Sequence, residues 1–116
     1  MNELENMFIK IAHRGASAYE PENTLRSFER AIELKADMIE LDVRQSIDGH
    51  LVVMHDDTVD RTTDSAGLVS LKTLSELKEL NAGKGEQVPT LDEVIELGKG
   101  RAKFVIELKE NGVEDK

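Results

Sequence analysis

The chain contains no cysteine, which excludes a disulfide framework, a thiolate metal site and a cysteine nucleophile together. Aromatic residues make up only 3% of it, so any core must be aliphatic. No apolar run approaches the ~18 residues that a transmembrane helix needs. The first seven residues carry Glu3 and Glu5 and no basic side chain where a secretory signal would be basic, and no apolar segment of signal length follows. A cytoplasmic protein with no stable membrane insertion is therefore expected. Positive charge is also scarce: 15 Lys and Arg stand against 24 Asp and Glu, a net charge of −9. That balance argues against nucleic acid or an anionic membrane as a bulk partner, since both are polyanions. It leaves room for a small anionic substrate held by one or two local cations.

What is present fits a folded chain. The length of 116 residues is one domain's worth or less, and 39% of the residues are hydrophobic. Phe8 to Ala12 reads as a buried strand opening into the loop His13-Arg14-Gly15. Asn23 or Thr24 can cap a helix whose apolar positions Leu25, Phe28, Ile32 and Ala36 recur at helical spacing to about Lys35. Met38 to Arg44 alternates as a strand does. Asp48-Gly49 predicts a tight turn into a further strand, Leu51 to His55. From Asp56 to Val88 the pattern loosens, apart from a capping box at Thr73 and Glu76 before Leu77 and Leu80. A second box at Thr90 and Glu93 opens a helix that Gly98 should stop. Phe104 to Lys109 is the last strand, followed by an Asn111-Gly112 turn. Strand–helix–strand, an irregular insert and helix–strand together predict an α/β fold with a parallel sheet. Three parallel strands and two helices leave open edges, so the architecture is incomplete on its own terms.

Side chains alternate across a strand. Ile39, Leu41 and Val43 therefore share the face suited to packing helices, while Glu40 and Asp42 share the other. The last strand repeats the arrangement, with Phe104, Ile106 and Leu108 on one face and Val105, Glu107 and Lys109 on the other. Three carboxylates converging from two strand ends form an oxygen-rich, sulfur-free set suited to Mg²⁺ or Ca²⁺. The competing reading is an exposed edge with ordinary solvated acids. His13 and His55 both close an apolar strand, where catalytic groups sit in open sheets and barrels, and they suit an acid/base pair around a metal. Arg14 offers a planar fork for phosphate and Lys109 a second cation. His50 reads as surface, and Asp56, Asp57 and Asp60 read as loop-capping acids. Gly83-Lys84-Gly85 is too sparse for a nucleotide cradle, and no G-x-S-x-G elbow is present.

These residues occur in a recognisable order: His13-Arg14-Gly15, Pro21-Glu22-Asn23-Thr24, Ile39-Glu40-Leu41-Asp42-Val43, Asp48-Gly49, Val53-Met54-His55-Asp56, Arg61-Thr62-Thr63, Pro89-Thr90-Leu91 and Ile106-Glu107-Leu108-Lys109. The ordered set resembles the glycerophosphodiester phosphodiesterase family from about Phe8 to Lys109. The resemblance implies a TIM (β/α)8 barrel of which residues 1–116 form only the first part, with a family-type insertion at about Ser46 to Val88. It implies metal-dependent hydrolysis of a small glycerophosphodiester to glycerol 3-phosphate and an alcohol. By position it makes Glu40, Asp42 and Glu107 ligands of a divalent cation, Mg²⁺ or Ca²⁺. It makes His13 and His55 the acid/base pair, within which we assign His13 as base and His55 as acid. It makes Arg14 a phosphate contact and Lys109 a further substrate contact, while Glu22 and Asn23 shape the first loop. Two other readings stand beside it. One is a barrel phosphodiesterase of the phospholipase C type, although no segment here is suited to membrane docking. The other is an inactive fragment that keeps only the metal and phosphate site. A complete barrel needs ~250 residues, and exposed parallel edges are adhesive, so a chain this short is expected to form homo-oligomers.

Overall fold

A computed structural model describes residues 10–109; Phe8, Ile9 and the Asn111-Gly112 turn lie outside the described residues. In chain order the elements are β1 (Ile11–His13), α1 (Leu25–Glu33), β2 (Met38–Gln45) and β3 (Leu51–Val53). A single 3₁₀ turn, Val69–Leu71, precedes α2 (Leu74–Lys78), α3 (Leu91–Gly98) and β4 (Phe104–Leu108). Every strand pairs with β2. β1 and β4 run parallel to it, and β3 runs antiparallel. Val43 is paired with Val53 on one side and Leu108 on the other. β4 therefore takes one edge of β2, while β3 continues the edge that β1 begins. Among the described residues no helix is long and apolar enough to cross a membrane.

The parallel part has its own core. Ile39, Leu41 and Val43 are buried against Phe28 and Ala31 of α1 and Val94 of α3, as their alternation predicts. Thr24, rather than Asn23, caps α1, and it exchanges hydrogen bonds with Ser27. The helix stops two residues short of Lys35, because Lys35 turns left-handed at φ 61°. The Phe28 and Phe104 rings meet edge to face at 6.4 Å. Gly98 does end α3, but its role is packing: a Cβ there would lie 2.3 Å from the Phe104 ring. The expected apolar face of β4 is buried less than its alternation suggests. Phe104 packs against the core, while Ile106 and Leu108 are exposed because no described element covers them.

The segment between β2 and α3 builds a second core from Val52, Met54, Val59, Val69, Leu77, Ala82 and Val88. Adjacent residues of β3 serve both cores, with Val53 in the first and Val52 in the second. Both capping boxes form as predicted, on Thr73 with Glu76 and on Thr90 with Glu93. β3 is shorter than its sequence pattern and ends at Val53. The Met54 amide still donates to the Asp42 carbonyl at 2.9 Å, but the chain leaves the ladder before His55.

Candidate active site

Backbone register puts the acids together. Asp42 lies opposite Glu107 across the β2–β4 ladder, and His13 lies opposite Glu40 across β1–β2. Paired residues of a sheet project to the same face, so the three carboxylates converge: one oxygen of each lies within 4.8 Å of the others. Burial differs among them. The Asp42 side chain is 2% exposed, Glu40 13% and Glu107 59%. The cluster is sealed on the β2 side and open beyond β4.

Cations and donors surround it from the β1 end. His13 Nε2 is 3.1 Å from Glu40 Oε2, on a side chain that is 66% exposed. The chain then turns sharply, with Arg14 at φ 59° and Gly15 at φ 81°. At Gly15 a side chain has no room, since a Cβ would lie 2.4 Å from the Ser27 hydroxyl. This turn aims the Arg14 amide at Glu40 Oε2, 3.2 Å away, and brings Arg14 Nε to 3.8 Å from Asp42 Oδ2. Asn23, left-handed at φ 55° and buried, donates through Nδ2 to Asp42 Oδ2 at 3.2 Å. Its Oδ1 and the Arg14 Nε have no hydrogen-bond partner among the described residues. At the open side Lys109 Nζ donates to Glu107 at 3.0 Å.

His55 joins this cluster only indirectly. Its Nδ1 is 2.8 Å from Asp56 Oδ1. Arg61 donates to both oxygens of Asp56, at 2.9 and 3.1 Å, and to both oxygens of Glu22, each at 2.9 Å. Glu22 in turn accepts from Arg14 Nη1 at 3.4 Å. His55 shares the lining of a small cavity with Glu22, Asn23 and Thr62. The charges respond accordingly. Burial pushes the Glu40 carboxyl up, and nearby Asp42 adds to this, against the pull of His13. The Arg61 hydrogen bonds outweigh partial burial and, with His55, bring Asp56 down to about 2. At Glu22 burial acts upward but the guanidinium of Arg61 prevails, and its carboxyl is lowered.

Two residues carry more than the sequence pattern assigned them. Asp56 is no loop cap; it orients His55. Asp60 does cap, accepting from the Gly67 amide at 3.0 Å. Arg44, by pattern only the polar end of a strand, is buried and donates twice to the His55 carbonyl, at 3.0 and 2.7 Å. Its spacing of two from Asp42 puts it on the acid-bearing face, and that was the available signal. His50 is exposed, as expected. The donor set fits a hard divalent cation: three carboxylates, no sulfur, and two of them repelling each other inside a poorly hydrated wall.

Known proteins resemble this chain in sequence and fold. The sequence profile of the glycerophosphoryl diester phosphodiesterase family matches residues 13–115. The chain belongs to that family. A glycerophosphodiester phosphodiesterase from Caldanaerobacter subterraneus subsp. tengcongensis is 57% identical over 94 residues, which cover 75% of this chain and 39% of the relative. The crystal structure of a glycerophosphodiester phosphodiesterase from Agrobacterium tumefaciens overlays with a TM-score of 0.85 at 47% identity, covering 89% of this chain and 48% of that one. A phosphodiesterase from Oleispira antarctica, solved in complex with the product sn-glycerol-3-phosphate, overlays with a TM-score of 0.85 at 42% identity, covering 88% and 44%. The chain thus spans under half the length of these relatives. Its fold is the first part of the family's TIM barrel, with β1, β2 and β4 as barrel strands.

Proposed function

We propose that Glu40, Asp42 and Glu107 hold a divalent cation, Mg²⁺ or Ca²⁺, and that the site serves hydrolysis of glycerophosphodiesters to glycerol 3-phosphate and an alcohol. The observation that carries this reading is the convergence of three carboxylates within 4.8 Å, flanked by His13 and Arg14. The product bound in the Oleispira antarctica relative supports the same substrate class. A cation bound there would neutralise charge on the phosphoryl oxygens.

The chain's own residues would supply the rest. Arg14, held at the same end of the sheet, offers a charged planar donor to a phosphate oxygen. Lys109 adds a second positive charge on the open side. His13 is exposed enough to take the proton of the attacking hydroxyl, that of the glycerol next to the phosphate. Its attack expels the alcohol and forms a cyclic phosphate that water then opens to glycerol 3-phosphate. His55, with Nδ1 occupied by Asp56, uses Nε2 to return a proton to the leaving alkoxide oxygen. Both roles suit an imidazole, whose intrinsic pKa is ~6.5.

The test is hydrolysis of glycerophosphocholine with and without Mg²⁺ or Ca²⁺, paired with thermal unfolding under the same conditions. Metal-dependent release of glycerol 3-phosphate supports the enzyme. A cation at ~100 times its dissociation constant should stabilise the fold by ~2.7 kcal/mol, and Glu40→Gln or Asp42→Asn should abolish that gain. Stabilisation without turnover would favour a second reading, a metal- and phosphate-binding fragment, which is motivated by the exposure of Glu107 on the side beyond β4. No stabilisation by either ion would sink both. We further propose that the 116-residue polypeptide self-associates through β4, whose outer edge is unpaired among the described residues and whose Val105, Ile106 and Leu108 are exposed. Light scattering that finds a monomer at high concentration would refute this.

A further inference from the structure

His13 and His55 reach the site from different bodies. His13 ends a barrel strand, whereas His55 follows β3 and leaves the sheet before its ring is placed. No ladder hydrogen bond fixes that ring. Arg44 of β2 holds the His55 carbonyl and so ties the backbone to the barrel, but the ring's Nδ1 meets Asp56, a sequence neighbour whose carboxylate needs an anchor of its own. Arg61 supplies it. One guanidinium forms two hydrogen bonds to Asp56 of the insertion and two to Glu22 of the first barrel loop, 39 residues away in sequence. Paired N–H···O bonds fix a direction as well as a distance, and an ammonium cannot reproduce them.

We infer that Arg61 is a positioning residue which, through Glu22 on one side and Asp56 on the other, registers the His55 imidazole against the barrel and selects its tautomer. An ionised Asp56 accepting at Nδ1 keeps the neutral ring's proton on that nitrogen, so the further proton that makes His55 an acid is carried on Nε2, the nitrogen from which it is given to the leaving oxygen. The inference rests on the proposed acid/base role of His55 for its functional meaning. The positioning itself is independent of that role, and it is measurable without substrate or metal.

The experiment is nitrogen-15 NMR of the His55 ring in the full 116-residue chain, at a pH where the imidazole is neutral. Wild type should show mainly the Nδ1–H tautomer, the reverse of the preference of free histidine. Arg61→Ala should move it toward Nε2–H, and guanidinium ion added well below denaturing concentrations should restore it. Arg61→Lys, which keeps the charge but not the fork, should stay displaced. Glu22→Gln, at a residue outside the Asp56–His55 pair, should displace it in the same direction. The double variant should go no further than Arg61→Ala alone, because both changes cut one path. An unchanged His55 spectrum in Arg61→Ala overturns the inference, and so does a Glu22→Gln effect that persists in full without Arg61. Should Arg61→Ala fail to fold, Arg61→Lys decides, and a wild-type tautomer there overturns it. If the tautomer shifts as stated while His55→Ala costs only a few-fold in turnover, the positioning stands and the catalytic role of His55 falls.

Discussion

Glu40, Asp42 and Glu107 owe their meeting to backbone register, whereas His55 owes its place to a relay of side chains. In the barrel part, β1, β2 and β4 fix which residues lie opposite, and a regular helix covers the far face. In the segment between β2 and α3, a 3₁₀ turn and a five-residue helix enclose an aliphatic core, and the loop that carries His55 is anchored by the side chains of Arg44, Asp56, Arg61 and Glu22. A ladder is insensitive to the loss of any one side chain. A charged relay fails at its weakest member, so the two halves of the candidate site should respond differently to mutation.

The largest effects are expected at one histidine from each region. On the proposed reading, His13→Ala and His55→Ala should each lower turnover of glycerophosphocholine by the complete enzyme by ~10²–10⁴ while leaving metal affinity nearly intact. Steady-state kinetics beside metal titration measures both. Losses of only a few-fold would return the histidines to structural roles. Next come the two cores. Phe28→Ala should cost ~3–5 kcal/mol and Leu77→Ala ~2–5 kcal/mol, since both side chains are completely buried. Val52 and Val53 face different cores from one short strand, so a single cooperative transition is expected in urea. Two separate transitions would show that the regions fold independently.

Acid should act chiefly on the relay. Asp56 is held at about 2, below its ordinary 3.8, so its contribution to stability is complete above about pH 4 and is lost as pH falls through about 2. Asp56→Asn should remove that part of the acid dependence, and the carboxyl carbon shift of Asp56 should titrate with a midpoint near 2. The smallest effects belong to the caps. Thr24→Ala and Thr73→Ala should each cost ~0.5–2 kcal/mol by chemical denaturation, with the buried Thr24 at the upper end.

Alternation along Met38–Arg44 was enough to place Glu40 and Asp42 on one face, and the same rule brought Glu107 into line. Local chemistry also revealed the caps at Thr73 and Thr90 and narrowed the third to Asn23 or Thr24, because a cap is decided within four residues. What stayed hidden was long-range. Nothing near Arg61 indicates that it meets Glu22, and nothing near Asp56 separates a loop cap from a histidine partner. Gly98 looks like a helix stop in sequence, yet its smallness answers the Phe104 ring across the fold. The exposure of Ile106 and Leu108 was equally illegible, since alternation tells which residues share a face but not whether anything covers it. Arg44 is legible by the same alternation, since a cation two positions beyond Asp42 shares its face.

That every strand pairs with β2 bears on how the molecule breathes. Amides at 39, 41 and 43 face β4, while those at 40, 42 and 44 face β1 and β3. Fraying any outer strand releases one set and leaves the other engaged. Each set exchanges with solvent deuterium once its own flank parts, so the two sets should differ in rate, and the slower one is the candidate to report the global unfolding free energy. During folding the strand at Phe104 must cross almost sixty residues of chain to reach that same partner. Closure of β4 onto β2 then becomes the slow, loop-limited event, and the carboxylate cluster is assembled only when it is complete.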